Sequence, residues 1–551
     1  MTHLCVSIAV EAPDGVEPAL AAARRAAERG ADMVEWRVDA LAEAEGALAS
    51  VRTLVRESPL PSIVTVRGAR EGGEWNGTDR DRVSFLEALC TAPGGPAPAY
   101  VDFELADFSR SANLRQKVEL CVAHPGQVRE VGTRLILSAH DFDGRPADLV
   151  RRWAAMAAAD SCAVAKVAWR ARSVRDNLEA FELLRTRAKP SIALCMGEAG
   201  LMSRVLAPKF GAFLSFAHAG DAADAERAAA NAAGTAPGQP SVEELVERWG
   251  FRRIGRRTRV FGVIGWPVGH SRSPELHNAW FRERGADAVY LPLPVPPEYE
   301  HFKATVGELV DFAPLDFRGA SVTLPHKEHL VRFVRERGGR VDALAARIGA
   351  ANTLLVEAGG ALACTNTDAP AAVDALCEGM GIDRAALRAR RVAVLGAGGV
   401  ARAVAAGLAE EGARVVVFNR GEERARRMCA ELSGGAGAGA DGDPGAPAAG
   451  GSCGALEGRI VPGRMSELGC GCFHAFVNCT PVGMAGGPDP GGSPLPDDAP
   501  LDGSVTVMDT VYAPAETPLL REARSRGARS VGGWSMFVKQ AERQFRLWRT
   551  D

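Results

Sequence analysis

An α/β chain of several domains, with an eight-stranded α/β barrel followed by two further α/β segments, is what three observations predict. The chain has 551 residues, too many for one ordinary hydrophobic core. Over the first 240 or so residues, short apolar runs alternate eight times with alanine-rich helical stretches, as strands joined by crossover helices do. A turn-rich stretch, GTAPGQPS (234–241), and a basic connector, RRIGRRTR (252–259), then precede a fresh start at VFGVIGWPVGHSRSPELHNAWF.

The eight runs are LCVSIAV (4–10), MVEWRV (33–38), SIVTVR (62–67), AYVDFEL (99–105), RLILSAH (134–140), CAVAKVA (162–168), SIALCM (191–196) and AFLSFA (212–217). Most are nearly continuous in apolar residues, as parallel strands covered on both faces should be. Helical patterns such as PALAAARRAAERG and ADLVRRWAAMAA fall between them, and the first ends on Gly30 in the manner of a helix C-cap. The predicted domains are a barrel over 1–248, an α/β segment over 258–385, a second over 386–520, and a C-terminal helical segment, 521–551, returning to the first of these. SGGAGAGADGDPGAPAAGGSCGA (433–455) has almost nothing to pack with and reads as a disordered insertion.

Apolar residues make up 46% of the chain and charged ones 24%, as in soluble globular proteins. A formal net charge of −3 argues against a nucleic-acid binder held by bulk positive charge. No stretch approaches the roughly 20 uncharged apolar residues of a membrane span. Twelve scattered cysteines, several inside strand-like runs, fit buried free thiols better than a disulfide framework. Cys470-Gly-Cys472 lacks a second ligand pair, so no metal site is expected. The expectation is a soluble intracellular protein without membrane or nucleic-acid partners, monomeric or weakly homo-oligomeric. It would be cytoplasmic, or stromal in a plastid if the source is photosynthetic and a transit peptide was trimmed.

In α/β barrels reactive groups gather at the C-terminal ends of strands. Polar side chains recur there: Glu35 and Arg37, Arg67 followed by Glu71, His140 with Asp141, and Lys166. Lys166 lies between Val164, Ala165, Val167 and Ala168. Desolvated there, its pKa would fall, giving an amine able to attack a ketone and form a Schiff base. The alternative is a lysine whose stem is buried and whose head reaches water.

Together, EWRVD, TVRGAREGGEW, SAHDF, AKVAW, GLMSRVLAPKFG and TAPGQ resemble the type I 3-dehydroquinate dehydratases in order and approximate spacing, over residues 3 to 245. The resemblance implies a Schiff base on Lys166, His140 as general base and acid, and Glu71 as the carboxylate that orients the histidine. Arg204 and Arg67 are similar to that family's substrate carboxylate and hydroxyl ligands, with Glu35, Arg37 and Gln239 completing the pocket. Thr235 stands where the family usually has serine, and the stretch before it is longer than usual.

RVAVLGAGGVARAVAAGLAEEGARVVVFNR (391–420) reads as strand, glycine turn, helix and strand. Gly396, Ala397, Gly398 and Gly399 form a turn whose glycines let backbone approach a pyrophosphate at the helix N-terminus. Asn419 and Arg420 end the second strand where an NAD enzyme would carry an acid. Arg420 and Arg424 offer positive charge to a 2′-phosphate, which favours NADP(H). Glu422 and Glu423 open the next helix, where acids are normal.

SRSPELHN (271–278), SVTLPHKE (321–328), GAANTLL (349–355), TNTDAP (365–370), VNCTPVGM (477–484), DTVYAPAETPLL (509–520) and GGWSMFVKQAERQF (532–545) together resemble shikimate dehydrogenases over about 260 to 548. The fused order is similar to the bifunctional dehydroquinate dehydratase–shikimate dehydrogenases of plants. It implies an α/β substrate domain plus a Rossmann NADP-binding domain, with Lys327 and Asp368 as a catalytic pair managing the proton of the hydroxyl that becomes a ketone. It further implies Ser271 and Ser273 on the substrate carboxylate, Asn352, Thr323 and Gln540 on ring hydroxyls, Tyr512 near nicotinamide and substrate, and Gly533 at the cofactor.

Ser273 and Thr323 point to shikimate rather than quinate, whose bulkier C1 substituent needs space there. Cys364 and Ala371 replace usual glycines, Ala351 a usual valine, and Gly421 stands where a hydroxyl residue is common. The reading that follows is an enzyme that dehydrates 3-dehydroquinate and then reduces 3-dehydroshikimate with NADPH. The alternatives are a quinate/shikimate dehydrogenase of broader choice, a Schiff-base aldolase in the barrel, and a non-catalytic sensor. The sensor predicts loss of Lys166, His140, Lys327 or Asp368, and none is lost.

Overall fold

The computed structural model describes residues 1–91, 97–123, 132–220, 238–357, 359–433, 460–469 and 472–548. Thr235, Cys470 and all but Ser433 of the 433–455 stretch lie outside them. No helix among the described residues is long and apolar enough to cross a membrane. The chain divides into two compact units. One comprises Met1–Val263, Pro267–Pro296 and Ala304–Phe317; the other comprises Ile264–Trp266, Pro297–Lys303 and Arg318–Asp551.

The first unit holds eight parallel strands: β1 (His3–Ala9), β2 (Met33–Arg37), β3 (Ser62–Thr65), β4 (Tyr100–Glu104), β5 (Arg134–Asp141), β6 (Cys162–Arg170), β7 (Ser191–Met196) and β8 (Leu214–Ala217). They lie in the order β7-β6-β5-β4-β3-β2-β1-β8. The ring comes near closure where Phe213 N donates to Ser191 O at 2.8 Å. Gly30 takes φ +103 after the first helix, the left-handed region that suits glycine at a helix end. Between β5 and β6 the register shifts so that Ile136 faces Val164, leaving Ala163 as an extra residue. Beyond that bulge, Lys166 shares its face of β6 with Val164 and Ala168. Both belong to a cluster with Cys5, Ile63, Ile136, Ile192 and Phe216.

Part of the stretch 256–317 belongs to the same compact unit as the barrel strands. Lys209 Nζ donates to Arg256 O at 3.1 Å and Thr258 O at 2.7 Å. Arg175 pairs with Glu308 at 2.8 Å, and the rings of Phe210 and Phe312 lie 6.3 Å apart.

In the second unit β11 (Phe317–Val322), β13 (Thr353–Val356) and β14 (Leu362–Thr365) pair antiparallel, and β12 (Arg340–Val341) runs parallel to β14. Upstream of these are β9 (Arg259–Gly265) and β10 (Ala288–Pro294). A six-stranded parallel sheet follows, built from β15 (Arg391–Leu395), β16 (Arg414–Phe418), β17 (Ile460–Gly463), β18 (Ala475–Asn478), β19 (Thr506–Asp509) and β20 (Arg529–Val531). Its order, β17-β16-β15-β18-β19-β20, reverses direction between β15 and β18, the crevice where doubly wound sheets bind dinucleotides. The C-terminal helix Gly533–Leu547 packs on the helix Asp368–Met380. Gln544 of the C-terminal helix donates to Asn352 O and Thr353 Oγ1, both at 3.0 Å.

Candidate active sites

Lys166 is 4% exposed. Its head does not reach water: Nζ lies 2.9 Å from Asp102 Oδ2, 3.4 Å from Glu35 Oε1 and 4.5 Å above the ring of Phe216. The apolar residues along β6 bury the stem, but carboxylates surround the head, which the sequence expectation of a purely apolar setting did not include. Ser7 Oγ and Thr65 Oγ1 donate to Glu35 at 2.8 and 2.9 Å. Burial pushes the Glu35 carboxyl up, but Lys166 and Arg37 outweigh it and hold the group below its usual value. Asp102 behaves likewise: burial opposes its charge, and Arg67 and Lys166 overcome that and depress it strongly.

His140, near the end of β5, is oriented by Glu71. Glu71 Oε2 accepts from the His140 backbone N at 2.9 Å and lies 3.0 Å from Nδ1. A carboxylate there fixes the Nδ1–H tautomer and leaves Nε2 as a lone-pair base. Burial, then Arg67 and Lys166, push the imidazole well below its ordinary value, so His140 is neutral near pH 7. Burial raises Glu71 to about 7, against the pull of Arg67. The Glu71 turn is tight: a Cβ on Gly73 would sit 2.0 Å from Arg67 O, so only glycine fits. Arg67 itself is buried, 3.0 Å from Asp102 Oδ1 and donating to Ser138 Oγ at 2.7 Å.

Arg204 is 1% exposed, and no nitrogen of its guanidinium has a hydrogen-bond partner among the described residues. Burial lowers it to about 10. Such a cation is a site prepared for an anion, because its desolvation is uncompensated until one arrives. The buried Gln239 amide nitrogen is likewise without a partner there. Arg37 is engaged by Asp39 through Nε at 3.2 Å and Nη2 at 2.5 Å.

The second unit brings Lys327, Asp368, Asn352 and Gln540 together. Lys327 Nζ donates to Asp368 Oδ2 at 2.6 Å, and Asn352 Nδ2 donates to Asp368 Oδ1 at 2.9 Å. Gln540 Oε1 lies 3.3 Å from the same Asn352 nitrogen. Lys327 and Asp368 each begin a helix and are both buried. Thr323 is fixed by its N donating to Ile264 O at 2.9 Å. The ring of Tyr512 stands 4.9 Å from that of Phe537, one turn before Gln540. Ser271 and Ser273 lie in the first unit, where Ser273 N donates to Ser271 Oγ at 3.3 Å.

The dinucleotide turn fits its expected occupant. Gly396 takes φ +110, and a Cβ there would meet Cys479 O at 3.1 Å across the β15–β18 crevice. A Cβ on Gly398 would meet nothing within 4 Å, so the space over the turn is open. Gly399 opens the helix Gly399–Glu410, and a Cβ on it would lie 3.6 Å from the Lys327 side chain, which puts Lys327 beside the turn. Arg420 and Arg424 are exposed and have no ion pair among the described residues. Asn419 Nδ2 donates to Gly421 O at 2.9 Å. Gly533 is pressed against Val511 O, 2.5 Å from where its Cβ would be. Among the described residues no group of three or more His, Cys, Asp or Glu is placed to hold a metal ion.

Models of three families match: type I 3-dehydroquinase over residues 4–255, shikimate dehydrogenase substrate binding domain over 263–354, and shikimate / quinate 5-dehydrogenase over 382–438. The chloroplastic bifunctional 3-dehydroquinate dehydratase/shikimate dehydrogenase of Arabidopsis thaliana is 33% identical over 552 residues, 97% of this chain and 80% of that protein. The chain belongs to this bifunctional family. A shikimate dehydrogenase (NADP(+)) of Methanocella arvoryzae is 38% identical over 289 residues, 52% of this chain and 92% of that one. The crystal structure of shikimate 5-dehydrogenase from Thermus thermophilus with NADP(H) and shikimate is 32% identical, covering 53% of this chain and 93% of that one, with a TM-score of 0.42.

In this bifunctional chain the sequence reading missed Asp102, Ser138 and Asp39. Asp102 was legible in principle. AYVDFEL places Asp102 and Glu104 two apart, on one face of a strand otherwise apolar, and such acids need a buried cation. Lys166 and Arg67 meet Asp102, and Arg82 meets Glu104 at 2.6 Å. Of the departures, Cys364 is buried in β14 opposite Leu354, and Ala371 is buried in the helix Asp368–Met380. Ala351 holds Lys327 O through its backbone N at 2.9 Å, a bond that any residue but proline could make.

Proposed function

We propose that the barrel dehydrates 3-dehydroquinate to 3-dehydroshikimate through a Schiff base on Lys166, and that the C-terminal half reduces 3-dehydroshikimate to shikimate with NADPH. The observation that carries this reading is that two buried lysines each pair with a carboxylate, Lys166 with Asp102 at 2.9 Å and Lys327 with Asp368 at 2.6 Å, each amid residues suited to its step. Residues 1–248 form the dehydratase module, 258–385 and the 521–551 return the reductase's substrate domain, and 386–520 its cofactor domain.

In its amine form Lys166 Nζ attacks the ring ketone carbon, and the oxygen leaves as water to give the imine. Asp102 and Glu35 balance the positive charge on that nitrogen. The protonated imine draws electrons from the neighbouring C–H bond, and His140 Nε2 takes the proton while Glu71 holds Nδ1–H. The same proton goes to the departing hydroxyl, which leaves as water. A further water hydrolyses the imine and restores Lys166. Arg204 pairs with the substrate carboxylate, and Arg67, Arg37, Thr235 and Gln239 hold its hydroxyls.

In the reductase, bound NADPH supplies the hydride. Gly396, Ala397, Gly398 and Gly399 would hold its pyrophosphate, Asn419, Arg420 and Arg424 its 2′-phosphate, and Gly533 would complete the cofactor site. Lys327 gives a proton to the ketone oxygen as it becomes a hydroxyl, and Asp368, which accepts from its Nζ at 2.6 Å, keeps the lysine oriented. Asn352, Thr323 and Gln540 hold ring hydroxyls, Ser271 and Ser273 the carboxylate, and Tyr512 lies near the nicotinamide and substrate. A coupled assay tests the whole: dehydroquinate plus NADPH should yield shikimate with loss of NADPH absorbance. No shikimate, or faster turnover with NADH than NADPH, would overturn the respective half.

A further inference from the structure

One rigid turn of the barrel touches both carboxylate-binding elements. The segment after β7 begins at Gly197, forms the short turn Glu198–Gly200 and continues into the helix Leu201–Val205, which carries Arg204. Its shape is fixed from inside. Asn177 Nδ2 donates to Ala199 O at 2.7 Å, and Asn177 Oδ1 accepts from Ser203 N at 2.9 Å. Ser203 Oγ donates to Gly200 O at 2.8 Å and accepts from Cys195 N at 2.9 Å. Asn177 and Ser203 are buried, so these bonds tie the turn to Ser203, the residue before Arg204, as one hydrogen-bonded network.

The same piece meets two other loops. A Cβ on Gly238, the residue before Gln239, would lie 2.7 Å from Gly197 C. On the outer side, Glu198 Oε1 lies 2.8 Å from where a Cβ on Gly269 would be. Gly269 is two residues before Ser271, whose N is tied to Val268 O at 3.0 Å. Glu198 is exposed; its backbone O accepts from Leu201 N, while its side-chain carboxyl has no ion pair or hydrogen bond among the described residues. A free carboxylate thus rests on the loop that offers serine hydroxyls and backbone N–H groups to an anion. Any shift of the turn toward an anion on Arg204 changes how closely that carboxylate approaches.

We propose that the Gly197–Val205 turn couples the two active sites, with Glu198 as the positioning residue that sets the serine loop according to whether Arg204 is occupied. Coupling of this kind is reciprocal: dehydratase ligand changes shikimate affinity, and shikimate changes dehydratase-ligand affinity by the same factor. The inference rests on the proposed function, since it needs an anion at Arg204 and another at the serines.

The test uses the full chain. Borohydride in the presence of dehydroquinate seals the dehydratase site at Lys166, and mass spectrometry confirms the adduct. Shikimate affinity is then measured calorimetrically on sealed and unsealed protein. In the wild type, sealing should shift the shikimate Kd by about 5-fold or more, the low end of typical allosteric couplings. In Glu198→Ala the shift should vanish, and Glu198→Gln serves if the alanine variant does not fold. An equal Kd in sealed and unsealed wild type overturns the coupling while leaving the Schiff base intact. A shift that persists in both Glu198 variants removes Glu198 from its role. Failure to seal Lys166 refutes the Schiff-base reading itself, and this inference with it.

Discussion

Arg204→Met should stabilise the ligand-free protein and cripple the dehydratase. The guanidinium is buried without a partner among the described residues, and lowering it from 12.5 to about 10 corresponds to about 3 kcal/mol against its charged form. Methionine has a similar reach and no polar atom needing a partner. Exchanging a buried charge for a packed apolar residue commonly stabilises by ~1–4 kcal/mol. At roughly 2–4 °C per kcal/mol for a domain of this size, thermal scanning should show the barrel's transition rise by about 2–16 °C. Binding should move the other way. Two charge-assisted bonds to a carboxylate are worth ~3–5 kcal/mol, so kcat/KM for dehydroquinate should fall roughly 10²–10³-fold. Dehydroquinate should raise the transition of the wild type but not of the variant. A lower transition together with an unchanged KM would refute the reasoning, because it would mean Arg204 already has a structural partner.

Asp102→Asn should leave Lys166 facing Glu35 alone and Arg67 without its nearest carboxylate, costing about 3–5 kcal/mol by denaturant unfolding and most of the dehydratase activity. Glu71 has its carboxyl raised from 4.5 to about 7. As pH falls through that value it protonates and stops holding the Nδ1–H of His140, so dehydratase kcat/KM should fall on the acid side of about pH 7. Glu71→Gln should lower the rate and remove that limb from the pH profile. Lys327→Met should reduce reductase kcat by roughly 10²–10⁴-fold in steady-state assays, with dehydratase turnover persisting. Arg420→Ala should raise the KM for NADPH about 10-fold or more and change that for NADH little, read from initial rates with each cofactor.

All eight barrel strands were legible because parallel strands covered on both faces read as apolar runs, and the extra residue at Ala163 did not disturb that signal. The parallel sheet around Gly396 was legible for a similar reason: the glycine turn sits between a strand and a helix in sequence as in space. The surroundings of Lys166 were not. Glu35 and Asp102 reach it from 131 and 64 residues away, and neighbours along β6 say nothing about them. Nor could the sequence show that residues 256–317 in part pack with the barrel, since Lys209 meets Thr258 only after the chain folds back. His140 and Glu71 are 69 residues apart, and in the sequence only the motif resemblance joins them as a pair.

Reductive trapping tests the central claim most directly. Full-length protein treated with borohydride and dehydroquinate, digested and mapped by mass spectrometry, should carry one reduced adduct, on Lys166, with loss of dehydratase activity. Lys166→Met should carry none. An adduct on another lysine, or an active enzyme that never traps, would contradict the account.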